Sequence, residues 1–189
     1  MVKKICFIHT ETTGLHELGN VKVYKKNLFG FARMVSFSYI IATRNNIEKK
    51  EYNIIKPRCL NIPQEIVQFH GISQEIAMKK GKDIEKVLDK FCADIMDCDI
   101  IISHSLDFHL KTVQAELIRY NKAKNFNKYI LIDINMFEHN IFPSTLNNMT
   151  QQLLKKKIID NKKENVIDII AELFFILYND YEKNINYKP

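Results

Sequence analysis

Two hydrophobic periods succeed one another along this chain, and they predict most of its elements. Lys3–His9 alternates and is rich in Ile, Phe and Cys, the pattern of a strand. Met34–Ala42 and Ile47–Ile55 read as two more strands, antiparallel across the turn chemistry of Thr43-Arg44-Asn45-Asn46. Gly19–Phe31 between them reads as a turn or insertion carrying Lys25 and Lys26. Pro57 breaks the strand pattern, and Pro63 opens a short helix over Ile62–Phe69. From Asp83, a good N-cap, the period changes: Ile84, Val87, Leu88, Phe91 and Ile95 fall three and four apart and share one face of a helix over Ile84–Met96. The β-branched run Asp99–Ser103 predicts a buried strand, Phe108–Tyr120 a helix, and Tyr129–Ile134 a further strand. Ser144 caps a short helix through Leu154. The last helix runs from about Glu164 to Tyr181 on a broad apolar face of Val166, Ile169, Ile170, Leu173, Phe174 and Leu177.

This order predicts an α/β fold: a central mixed five-stranded sheet, three strands antiparallel and two parallel, with helices on both faces. A single domain spanning residues 1–189 is expected, since 189 residues suit one core and no repeat or low-complexity tract interrupts them.

Composition narrows the classes. Hydrophobic content of 46% is that of a globular domain. Apolar runs such as Ile100–Ile102 and Leu173–Leu177 fall far short of the ~20 residues of a membrane span, so no membrane partner is expected, and Met1-Val2-Lys3-Lys4 leads into a strand with no leader pattern. Cys6, Cys59, Cys92 and Cys98 form no Cys-x-x-Cys pair; buried free thiols in a reducing compartment, cytoplasmic or nuclear, are expected. The net charge of +6 is dispersed in small lysine groups, at Lys25-Lys26, Lys49-Lys50, Lys79-Lys80, Lys155–Lys157 and Lys162-Lys163, which permits nucleic-acid binding without demanding it. Abundant Asn, Lys and Ile with few Gly point to an AT-rich genome, such as that of a large DNA virus or a parasite.

The residues that carry chemistry begin at Phe7–Leu15, Phe-Ile-His-Thr-Glu-Thr-Thr-Gly-Leu. This stretch resembles the first motif of the DEDD (DnaQ-like, ribonuclease-H-like) 3′–5′ exonucleases, in which an apolar strand ends in Asp-x-Glu and Thr-Gly follows in a tight turn. Glu11, Thr12, Thr13, Gly14 and Leu15 match; His9 stands in place of the aspartate. Ser103–Leu117 is similar to the second motif, with His104, Phe108, Glu116 and Leu117 matching, Ser105 in place of an asparagine and His109 in place of the metal-binding aspartate. Asp107 lies two residues away, about 200° round a helix, and does not substitute. In the third motif Asp168 matches, while Lys163 stands where the family has its histidine base; a sister subgroup has tyrosine at the position of Glu164. Pro63–Glu75 with its His70-Gly71-Ile72 core, Ile132-Asp133, and Thr145-Leu146 with Met149 extend the resemblance over nearly the whole chain.

The resemblance implies a ribonuclease-H-like sheet and a two-metal site in which four carboxylates face two magnesium ions. Only Glu11 and Asp168 remain as carboxylates at matching positions. Neutral imidazole is a poor magnesium ligand and imidazolium repels a cation, so magnesium is disfavoured. His9, Glu11, His109 and Asp168 together make a two-His, two-carboxylate set that suits manganese or zinc better. The bland alternative is that the histidines fill space or pair with Glu11 and Asp168, with no cofactor. Thr12, Gly14, Leu15, His104 and Phe108 occupy positions that in the family surround a terminal nucleotide. The expected function is therefore a degenerate exonuclease that binds a single-stranded DNA or RNA 3′ end, or scaffolds, without efficient cleavage. An active exonuclease with an atypical manganese or zinc site, and a protein-binding component of a larger assembly, are the alternatives.

Overall fold

Ile5–Thr12 forms β1, the middle of a five-stranded sheet with the order β3-β2-β1-β4-β5. The computed structural model describes residues 3–58, 61–122, 124–137, 145–156 and 165–186, with side chains of the last helix described through Asn179. β2 (Met34–Ala42) and β3 (Ile47–Ile54) add antiparallel on one side of β1, and β4 (Ile100–Ser103) and β5 (Ile130–Asp133) add parallel on the other. The expected mixed sheet is thus present with the expected pairing.

Strand alternation assigns the faces. Cys6 and Ile8 of β1 join Phe37, Tyr39 and Ile41 of β2 against α3 (Ile84–Asp94) and α4 (Leu106–Arg119), whose Leu88, Phe91, Val113 and Leu117 are buried there. Ile5 and Phe7 point the other way, with Ile40, Ile100 and Ile102, and are covered by Ile167, Ile170, Leu173 and Phe174 of α6 (Val166–Asn186) and by Met149 of α5 (Leu146–Leu153). All nine residues of β2 are buried, as a strand covered on both faces requires.

Several local expectations are refined. The helix at Pro63 is α1 (Gln64–His70), closed by Gly71 at φ +73°, and a second short helix not anticipated from the sequence, α2 (Gln74–Lys80), starts at once with Ser73 as its cap. Residues 19–31 contain a 3₁₀ helix, Lys25–Gly30. The helix expected from Phe108 begins at Leu106, because the Asp133 carboxylate accepts from the Ser105 and Leu106 amides and caps α4 from β5. Thr145 caps α5; the expected cap Ser144 and the expected helix start Glu164 lie outside the described residues, as does Cys59. Cys6, Cys92 and Cys98 are free thiols, and burial raises the pKa of each. Among the described residues no helix is long and apolar enough to cross a membrane.

Candidate functional site

The site forms where β4 stops short. β1 pairs with β4 only through Phe7, opposite Ile102, and the chain then turns into α4. β1 continues for five residues past that point, so its edge offers backbone donors with no strand to receive them. His109, on the third residue of the first turn after Leu106, fills the gap: the Thr10 amide donates to His109 Nδ1 at 3.1 Å, and Thr10 Oγ1 lies 2.9 Å from the same nitrogen. An imidazole thereby continues the sheet ladder.

That hydrogen bond fixes the tautomer. Nδ1 accepts from a backbone N–H, so in the neutral ring the proton is on Nε2. Burial pushes the His109 pKa well below the ordinary value, and the neighbouring His9 and His104 push the same way. The ring lies against that of His9, centroids 4.6 Å apart. His9 Nε2 is 3.2 Å from Glu11 Oε1, while its Nδ1 is buried without a hydrogen-bond partner. His9 therefore touches both Glu11 and His109.

Asp168 is engaged elsewhere. At the start of α6 its Oδ2 lies 2.5 Å from Nζ of Lys50, a residue of the edge strand β3 noted above only as one of the dispersed lysines. The pair is partly exposed and contributes under about 1 kcal/mol. Lys163 lies outside the described residues.

These side chains do not fit a divalent ion as they stand. A ring nitrogen ligates through its lone pair; the Nδ1 pair of His109 is committed to Thr10, and Nε2 carries the proton. Asp168 holds a lysine ammonium. Among the described residues no three His, Cys, Asp or Glu side chains converge as a metal set.

The turn after β1 is built firmly. Gly14 has φ +151°, a conformation that disfavours side chains, although a Cβ there would meet nothing within 4 Å. Thr12 Oγ1 donates to the Gly14 carbonyl at 2.7 Å. Thr13 exchanges two hydrogen bonds with the Arg33 backbone, its amide donating to the carbonyl and its Oγ1 accepting from the amide. Leu15 projects from this frame, 86% exposed. Phe108 is half-buried and stacks on His16 with centroids 4.3 Å apart; His104 is half-buried at the end of β4. His16 has several partners: the Ala32 amide donates to its Nδ1, and its Nε2 lies 3.1 Å from the Phe108 carbonyl. It joins the turn to α4.

Glu116 plays a structural part. Its carboxylate is fully buried and receives Arg33 Nε at 2.8 Å, the Met34 amide at 3.1 Å and Arg119 Nη1 at 3.0 Å. Burial works against the Arg33 charge, but Glu116 outweighs it and the pKa rises; at Arg119 burial prevails and the pKa falls. The Glu116–Arg119 spacing of three on a helix was readable in the sequence; the contact with Arg33 across 83 positions was not.

No family model and no curated protein matches the chain in sequence. Solved structures do match its fold. A product-bound exonuclease I superimposes with TM-score 0.73 at 14% identity, covering 99% of this chain and 46% of that one. E. coli exonuclease I in complex with a dT13 oligonucleotide gives TM-score 0.75 at 13% identity, over 98% of this chain and 43% of that one. The nuclease domain of 3′hExo, a DEDDh family member bound to rAMP, gives TM-score 0.68 at 15% identity, over 95% of this chain and 93% of that domain. The chain thus has the ribonuclease-H-like fold of the DEDDh exonucleases, and it spans less than half of the exonuclease I chains.

Proposed function

We propose that this protein is a catalytically impaired member of the exonuclease-fold class that holds the 3′ end of a single strand, DNA or RNA, without cutting it. The observation that carries the reading is the Thr10–His109 hydrogen bond: a buried neutral imidazole, its lone pair occupied by the backbone, stands where the resembling enzymes place a metal-binding aspartate. The Lys50 ammonium on Asp168 supports the same conclusion. Against this loss, the turn that would meet a terminal nucleotide is braced by Thr12, Thr13 and Arg33 and presents Leu15 to solvent. Neighbours of this fold were solved with a single-stranded oligonucleotide and with a histone mRNA stem-loop recognised at its 3′ end.

Fluorescence polarisation with labelled oligonucleotides tests it. A strand with a free 3′ hydroxyl binds more tightly than one carrying a 3′ phosphate, and Leu15→Ala weakens binding at unchanged melting temperature. Equal affinity for both ends, undisturbed by Leu15→Ala, would remove the 3′-end assignment.

A further inference from the structure

The two outer strands of the sheet differ in character. β3 is charged: Glu48, Lys49, Lys50 and Glu51 each form an ion pair within the chain, with Lys4, Asp94, Asp168 and Lys90. Charged side chains of this kind keep an edge from pairing with another strand. β5 has no charge before Asp133 and presents Ile130 at 50% and Leu131 at 41% exposure. Among the described residues no strand lies beyond it.

The backbone of this edge is set for pairing. The Ile130 amide donates to the Asp99 carbonyl at 2.9 Å, and Ile130 stands opposite Ile100 in the parallel ladder. Alternation then turns the polar backbone of Ile130 and Ile132 toward β4, and that of Leu131 and Asp133 outward. The Tyr129 amide closes the preceding turn onto the Phe126 carbonyl, which leaves the Tyr129 carbonyl on the outward row. Leu131 is the centre of that row, with the Tyr129 carbonyl before it and the Asp133 amide after it. An antiparallel pair centred on Leu131 makes the strand complementary to itself. Leu131 exchanges both of its bonds with its own copy, and each Asp133 amide meets a Tyr129 carbonyl.

The side chains agree with the same axis. Lys128 precedes the strand and Asp133 ends it. Antiparallel pairing brings the lysine end of one copy to the aspartate end of the other, whereas parallel pairing would align like charges. Exposed Met96, whose carbonyl accepts from Lys128 Nζ, stands at the first end, and exposed Met136 lies just past the second. Apolar surface therefore also comes to apolar surface.

We infer that β5 is an interface for a second copy of this chain, in which two β5 strands pair antiparallel about a two-fold axis at Leu131 and join the two sheets into one. A self-complementary contact of this kind closes on itself and leaves β5 no free edge. The inference is independent of the 3′-end reading.

Sedimentation velocity of the full chain across the micromolar range tests it, and a concentration-dependent dimer is expected. Leu131→Lys sets two ammonium groups against each other on the axis. The dimer then weakens at least about tenfold, while the melting temperature stays because the side chain is exposed. A short bis-maleimide reads the register. Leu131→Cys, with Cα atoms about 5.5 Å apart in such a pair, crosslinks as a dimer above the wild-type background. Ile47→Cys, exposed on the β3 edge, does not. A monomer throughout the range, a dimer untouched by Leu131→Lys, or one bridged through Ile47→Cys instead would overturn the β5 interface.

Discussion

The backbone amide of Thr10 donates to Nδ1 of His109 across 3.1 Å, in the position where a neighbouring strand would otherwise receive it. A residue of α4 has thus been incorporated into the sheet edge. A ring in this role gains from being neutral, because protonating Nδ1 would set two donors against each other.

This has a pH consequence with a definite sign. The folded pKa of His109 lies well below its ordinary value, driven first by burial, while the unfolded chain titrates near pH 6.5. Below about pH 6.5 the unfolded state takes up a proton that the folded state refuses, so stability falls as pH drops from there toward the folded pKa. The slope is about 1.4 kcal/mol per pH unit for this one group. His16, also lowered by burial, adds in the same direction. Urea denaturation between pH 7.5 and 5.5 measures it, and His109→Gln, which keeps an acceptor for Thr10, flattens the dependence.

Metal responses separate the histidine site from a carboxylate one. The wild type melts at the same temperature in chelator, magnesium or manganese. In His9→Asp/His109→Asp, two new carboxylates beside Glu11 repel one another, so the variant melts lower in chelator and recovers when magnesium is added. Thermal shift assays read both. A metal-dependent rise in the wild type would assign its histidines as ligands.

Glu116 is predicted to govern stability and not chemistry. Replacing it by Gln leaves Arg33 and Arg119 half-buried without their carboxylate, at a cost of about 3–5 kcal/mol. Equilibrium unfolding in urea checks this, and a loss under about 1 kcal/mol would mean that other groups hold the two arginines.

What the sequence disclosed follows the range of the interactions. Ile84, Val87, Leu88 and Phe91 announce α3 because a helix repeats its burial every three or four residues, and β2 announces itself by the density of Val, Phe, Tyr and Ile around Ser36 and Ser38. α2 stayed hidden because seven residues hold too few turns for a period to emerge. In the site, the resemblance located His9, Glu11 and His109, which do adjoin. The Lys50–Asp168 pair joins positions 118 apart, and the acceptor role of His109 depends on where β4 ends, which no local pattern records. The packing of the 3₁₀ insertion carried no signal either, since it is decided by single contacts such as Gly30 on Leu18.

The proposed function has imidazole and ammonium groups in the places that the resembling exonucleases give to metal and ligands, in a fold that grips without cutting. Incubating the purified protein with 3′-labelled single-stranded DNA and RNA, in magnesium and in manganese, addresses it directly. Retained binding with the label intact over hours, for the wild type and Glu11→Ala alike, is the expected result. Stepwise release of 3′ nucleotides by the wild type, abolished in Glu11→Ala, would contradict it.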